Sequence, residues 1–416
     1  MNVVVTGVGL YTGLGNAREL TWNALRQGRC GLRRLGEKYD PAPATFFGCP
    51  IRHSDHRPLE HVFKAAMEAM SDAALDRRSP IDRDRAATIV ALSKGDLRRQ
   101  SNYHRSLRER GPDSIAGGQW SWRSTWPDFI ASNLSHVYDF RGPSLSPIAA
   151  CATGVLAALR GADLIRHGLC DLALVGAGDS SLQPLVLGAF QNMKALAKVD
   201  GDPANAVRPW DKARSGFLPG EGAAVLVLER EDHARARGVL PYAEFAGGAF
   251  GSDAYHITDL NPDPSGLAHI IGLALKNGEM QASELDYVNV HGTATRQNDP
   301  LECRAIRKAL GSHADTVSCS ANKAQIGHLL GAAGAAELAI TCLAIRDGFV
   351  PPTLNLDDPD PACDLDGTPH VGKAREIRAA LKVSIGFGGH LAAAVLRRPS
   401  GPRRSPIPLN PSPDSP

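Results

Sequence analysis

The chain has 416 residues, 43% of them hydrophobic and 22% charged, and its net charge is +2. It is long enough to bury a large core, as two domains or one duplicated one, and nothing global marks it as a nucleic-acid or membrane-surface binder. Eight cysteines lie scattered without a C-x-x-C pair, so neither a zinc site nor a disulfide framework is indicated, and no apolar run approaches membrane-spanning length.

The first seven residues enter a strand directly and lack a signal-peptide layout, so the expected setting is a reduced cytoplasm. Apolar runs predict strands over 3–6 and 87–92, and amphipathic stretches predict helices over 17–27 and 59–74. Residues 98–126 are polar, basic and tryptophan-bearing, and read as an irregular insertion capping a substrate or partner. A helix over 153–169 follows, then strands over 172–178, 223–228 and 242–250. Helices over 266–277, 299–310 and 332–346 alternate with strands over 287–291, 316–320, 381–385 and 391–396. Such alternation predicts layered α/β, with sheets covered by helices. The Pro-, Ser- and Arg-rich residues 399–416 are expected to be a disordered tail.

Three junctions between elements carry chemistry. Cys151 opens the 153–169 helix, where the dipole and unpaired N–H groups favour a thiolate. His291 ends a strand and is followed by Gly292, Thr293 and Thr295. Lys323 precedes Gly327-His328, which opens the 332–346 helix. A lone buried cysteine or histidine is more often structural; three such junctions are harder to explain by packing. Both helices are rich in Ala and Gly, which suits burial between two sheets and hints at an internal duplication with one site shared between the halves.

Cys151 in Ala-Cys-Ala-Thr-Gly, His291 in His-Gly-Thr-Ala-Thr and Lys323 with Gly327-His328 resemble the β-ketoacyl-(acyl carrier protein) synthases of the elongating Cys-His-His type. Arg208-Pro209-Trp210-Asp211, Gly220-Glu221-Gly222 and Gly386-Phe387-Gly388-Gly389 extend the resemblance in order, from Met1 to about Arg398. It implies a thiolase-like fold, a duplicated five-layer α-β-α-β-α arrangement with halves at 1–239 and 240–398. It implies decarboxylative Claisen condensation of a Cys151-bound acyl group with malonyl-acyl carrier protein, in polyketide or specialised fatty-acid synthesis.

By the same resemblance, backbone N–H groups of Cys151 and Phe387 form an oxyanion hole, and His291 and His328 stabilise the enolate. Lys323 shapes the field around His328 and pairs with Glu337. Thr293 and Thr295 hold the phosphopantetheine arm; Phe387 gates the acyl pocket, with Phe190 in its wall; Gly386, Gly388 and Gly389 let the loop swing. The enzyme itself binds no metal or cofactor, since its substrates arrive on the phosphopantetheine of acyl carrier protein. That carrier and a second copy, or a related ketosynthase-like chain, are the implied partners, with no nucleic acid or membrane. The rival reading is a non-catalytic chain-length-factor or starter-unit partner. A thiolase acting on coenzyme A esters is weaker, because residues 384–390 offer no second cysteine.

Three departures stand out. His390-Leu391 replaces Thr-Asn and adds a titratable group near the gate. Ala91-Leu92-Ser93-Lys94-Gly95-Asp96 replaces a glycine-rich apolar turn at the acyl-pocket floor. Lys94 there is expected to pair with Asp96 or a polar acyl group, favouring a short or functionalised chain. The family's basic segment before the 59–74 helix becomes Arg52-His53-Ser54-Asp55-His56-Arg57-Pro58, so carrier docking shifts to Arg98, Arg99, Arg105, Arg108 and Arg110.

Overall fold

The computed structural model describes residues 1–36, 46–51, 58–112 and 123–406. Most of the substituted basic segment, the middle of the insertion and the end of the tail lie outside these. The first half carries β1 (Val3–Thr12), β2 (Arg33–Arg34), β3 (Phe47–Gly48), β4 (Ala86–Leu92), β5 (Ser144–Leu145), β6 (Leu172–Asp179) and β7 (Gly222–Arg230). The second carries β8 (Ala243–Ser252), β9 (Tyr287–Asn289), β10 (Ser318–Ser320), β11 (Phe349–Val350), β12 (Lys373–Ala374), β13 (Ala379–Gly386) and β14 (His390–Arg397).

Ten of these strands form one sheet in the order β10-β9-β13-β14-β8-β1-β7-β6-β4-β5. The order β5-β4-β6-β7-β1 repeats as β10-β9-β13-β14-β8. Each series has two parallel pairings followed by two antiparallel ones. The halves meet where Val4 and Val5 pair with Glu244 and Ala243. The duplication hinted at by two similar helices is therefore written in the strand order.

Side-chain alternation builds the layers. On β7, Ala223, Val225 and Val227 pack outward towards the helices Pro58–Asp72 and Phe129–Tyr138, while Ala224, Leu226 and Leu228 pack inward. On β14, Leu391, Ala393 and Val395 face the helices Ser265–Asn277 and Asn298–Leu310, while Ala392, Ala394 and Leu396 face inward. Strands covered on both faces read as continuous apolar runs, which is why they were legible. Between the two sheet halves lie the helices Thr153–Arg166 and Ala333–Asp347, giving the five layers.

Those central helices touch at backbone distance. A Cβ on Gly154 would lie 2.2 Å from the Ala335 nitrogen, and one on Gly334 would lie 2.9 Å from the Val155 nitrogen. Both helices start from matching tight turns, Ala150–Ala152 and Leu330–Ala332. Ala150 and Leu330 hold φ of 46° and 48° there, a left-handed conformation that costs a non-glycine residue about 1–2 kcal/mol.

The structure corrects several expectations. β1 runs six residues beyond the predicted 3–6, because Gly7 and Gly9 serve close approach to a helix. Their Cβ positions would fall 2.1 Å and 1.8 Å from the Ala69 and Ala65 carbonyl oxygens. The supposedly irregular 98–126 insertion begins with the helix Leu97–Arg110, N-capped by Asp96, whose side chain accepts from Arg99 N. It was missed because no residue of it is buried, so it shows no apolar stripe. The tail from Pro399 is anchored at Arg404, which bonds to Asp72, Thr6 O and Leu240 O and lies 4.4 Å over the Tyr242 ring.

Gly154→Ala is expected to lower the melting temperature, by a cost of about 1–3 kcal/mol for overpacking. Gly188→Ala, in the helix Pro184–Asn192 with nothing within 4 Å of its Cβ, should raise it or leave it unchanged. Differential scanning calorimetry on both reads the contrast; equal effects would contradict the close helix contact.

Candidate active site

The matching turns at the start of the two central helices bring the sequence-predicted residues into one cleft of about 830 Å³. Cys151, His291, Thr293, Thr295, His328 and Phe387 all line it. Cys151 is 8% exposed, His291 3% and His328 2%, so the cleft floor is nearly closed to water. The two imidazoles meet edge to face with centroids 5.4 Å apart.

Hydrogen bonds fix which nitrogen of each ring carries the proton. Leu330 N–H donates to His328 Nδ1 at 3.2 Å, so Nδ1 is the acceptor and the hydrogen sits on Nε2. Lys323 Nζ lies 3.4 Å from His291 Nδ1, with the same consequence. Burial holds both rings well below the ordinary histidine pKa, with Lys323 and Lys382 adding to the effect. Each therefore offers a neutral Nε2–H donor.

His291 is held from behind. Glu302, on the helix Asn298–Leu310, accepts from Gly292 N at 2.8 Å and also from His291 N. Burial pushes the Glu302 carboxyl up to about 7 against those two donors. Lys323 pairs with Glu337 at 2.6 Å, as expected, and donates to it there; its other hydrogen bonds go to His291 and none goes to His328. Its influence on His328 is electrostatic only.

Around the thiol the electrostatics are opposed. Burial pushes Cys151 up to about 11, while Lys94 and Lys323 pull it down. The helix-start position anticipated from sequence is present, yet desolvation is the larger influence on the free thiol. Gly386 crowds its backbone: a Cβ there would lie 2.6 Å from Ala149 O and 3.2 Å from Cys151 N. Only glycine lets the Phe387 loop come this close to Cys151. Gly388 and Gly389, with φ of 83° and 77°, close the turn into β14.

Phe190 packs on Phe217 and Phe387, with ring centroids 5.3 Å and 6.4 Å away, and Phe217 sits 5.0 Å from His328. Lys94, expected at the acyl-pocket floor, does not line the cleft; it pairs with Asp179 at 2.7 Å and not with Asp96, which is occupied as a helix cap. Asp179 also accepts from Ser93, Ser181 and Gly331 N. His390 does not line the cleft; its ring stacks on Phe250 with centroids 5.9 Å apart, and Leu391 is buried in β14.

Sequence reasoning missed Phe217, Glu302, Asp179 and Lys382 as parts of the site. It also missed Lys194, Lys198 and Arg296, which line the cleft. The signals were present for two of them: Lys382 is a charge inside an apolar strand, and Glu302 lies three residues after Asp299 on a buried helix face.

Comparison with known proteins agrees with this geometry. The β-ketoacyl synthase N-terminal domain matches residues 38–234 and the C-terminal domain matches 242–357. A 3-oxoacyl-[acyl-carrier-protein] synthase 2 of Coxiella burnetii is 35% identical, over 95% of this chain and 98% of its own. The tetracenomycin polyketide synthase ketoacyl synthase alpha subunit of Streptomyces glaucescens is 34% identical over 96% and 98%. Among solved structures, a type II PKS acyl-carrier protein in complex with its ketosynthase bound to the hexaketide contains a chain superposing with a TM-score of 0.89. That chain is 32% identical, with 95% and 98% covered. Two family domains matched in order, relatives aligned end to end and a paired strand order that places a cysteine and two histidines in one cleft make this chain a member of the β-ketoacyl synthase family.

Proposed function

We propose that this chain is a β-ketoacyl-acyl carrier protein synthase, working in polyketide or specialised fatty-acid synthesis. The observation that carries the reading is a thiol and two neutral imidazoles, each presenting Nε2–H, on the floor of one cleft.

The Cys151 sulfur attacks the carbonyl of an incoming acyl thioester; the C–S bond to the carrier breaks and the carrier thiol leaves with the proton. Backbone N–H groups of Cys151 and Phe387 face the developing oxyanion. Malonyl thioester then enters, and its carboxylate leaves as carbon dioxide. The electron pair stays on the thioester as an enolate, whose oxygen accepts from His291 and His328. Its carbon attacks the acyl carbonyl, the bond to sulfur breaks and Cys151 leaves as a thiolate, which takes a proton from water to restore the thiol. Thr293 and Thr295, hydrogen-bonded to each other at 2.9 Å, line the path of the phosphopantetheine arm. Lys194, Lys198 and Arg296 give the cleft a positive lining for its phosphate.

The acidic carrier is the expected partner, with Arg105 and Arg108 exposed on the helix Leu97–Arg110 as a steering group. A second copy or a related ketosynthase-like chain fits the open edge of the sheet at β5, where Leu145 and Ile148 are 44% and 47% exposed.

Lys94 sets acyl choice in this reading. Its ammonium favours the Cys151 thiolate while its partner Asp179 opposes it, and stripping such a pair of its remaining water to accommodate a long alkyl chain costs several kcal/mol. Short or polar acyl groups are favoured.

Mass spectrometry after incubation with acyl carrier protein thioesters should find one acyl adduct on the wild type and none on Cys151→Ala. A wild type that never gains the adduct would sink the proposal. In a competition assay, acetyl and acetoacetyl groups should outcompete dodecanoyl, and Lys94→Met should narrow the difference. In Lys94→Met, alkylation of Cys151 by iodoacetamide should also require higher pH, because the ammonium that stabilises the thiolate is gone.

A further inference from the structure

Lys382 is a buried lysine that the mechanism above leaves unused. It sits on β13, between Leu381 and Val383, with 0% of its surface exposed. Its Nζ lies 2.6 Å from Glu337 Oε2, an ionic contact, while its hydrogen bonds go to the Asn289 and Val290 carbonyls and its neighbour Val383 O. The other oxygen of the same carboxylate, Glu337 Oε1, holds Lys323 at 2.6 Å. One buried glutamate thus bridges two buried ammonium groups.

The charged groups facing Lys382 come from every element around it. Glu337 comes from the central helix Ala333–Asp347, Lys323 from the short helix Lys323–Ile326, and Glu302 from the helix Asn298–Leu310. His291 follows the end of β9, one residue past the Val290 carbonyl that Lys382 grips. Two lysines stand against Glu337 and against Glu302, whose carboxyl burial raises to about 7, so the charges around His291 balance only where Glu302 is ionised. Removing one charge from a buried set is costly, whereas the intact set is tolerated.

We propose that Lys382 is a positioning residue. By bridging Glu337 to the strand end that carries His291, it holds Lys323 on His291 Nδ1 and places a second ammonium behind that ring. The inference rests on the functional reading above. Protonation of either ring puts a hydrogen on Nδ1, where Lys323 or the Leu330 N–H already donates, and drives the ring out of place. Lys382 is among the charges acting on both histidines, whereas the largest acting on Cys151 are Lys94, Lys323, Asp179 and Glu337. Desolvation brings the Lys382 ammonium itself down to about 8.

The test uses Lys382→Met and Lys382→Gln in the full chain; glutamine keeps a donor for the strand carbonyls without the charge. Acyl transfer to Cys151 and decarboxylation of malonyl-acyl carrier protein are measured separately across pH 5 to 8. Both variants should still take up acyl groups, with a pH profile that moves less than that of decarboxylation. In both, the acid limb of decarboxylation should move to higher pH, with the maximal rate falling roughly tenfold from misplacement of His291.

A uniform loss at every pH without movement of the acid limb would overturn the proposal, as would equal damage to acyl transfer and decarboxylation. Failure of both variants to accept an acyl group would also overturn it, making Lys382 a requirement of folding. A wild type inactive in both half-reactions fails the functional reading instead.

Discussion

The site depends on one contact: two buried helices that touch through Gly154 and Ala335 with no side chain between their backbones. Each helix begins at a turn strained into positive φ, and the turns carry Cys151 in one half and follow His328 in the other. Close approach of the axes sets the distance between the chemistry of the two halves. The repeated strand order explains how such symmetry arises, since each sheet half delivers its helix N-terminus to the same interface. Strain of this kind persists only where surrounding packing over-determines it, and both turns are flanked by core residues, Ala149 and Ala152 in one and Leu329 and Ala332 in the other.

The second constraint is charge. Lys323, Lys382, Glu337 and Glu302 are all buried beside the histidines, an environment where an unpaired ion is untenable. Sharing Glu337 between two lysines solves the pairing problem and gives the imidazoles a fixed positive field. The thiol side is built differently: Lys94 is partly exposed and paired with Asp179, yet it is the largest charge favouring the Cys151 thiolate, ahead of the buried Lys323. One cleft thus contains a neutral donor pair and a thiol whose ionisation is opposed by burial and aided by two cations.

Much of this was legible in the sequence. The apolar runs of β6, β7, β13 and β14 announced strands buried on both faces, and the three junctions at Cys151, His291 and His328 announced a site. The helix Leu97–Arg110 was illegible because it buries nothing, and β1 was cut short because glycines in a strand look like a stop signal until the helix they admit is in view. The Lys94–Asp179 pair joins residues 85 apart, and Lys323 grips a histidine 32 residues away, not the one five residues on.

Local pattern determined which segments became strands and helices and which side chains had the chemistry for acyl transfer, because periodicity and residue type act over a few neighbours. Tertiary structure alone decided the tautomers of the histidines, the partner of each lysine and the placement of Lys382 and Glu302 around His291. Electrostatic interaction and desolvation depend on separation and burial in space, and the chain order of the charges does not encode either.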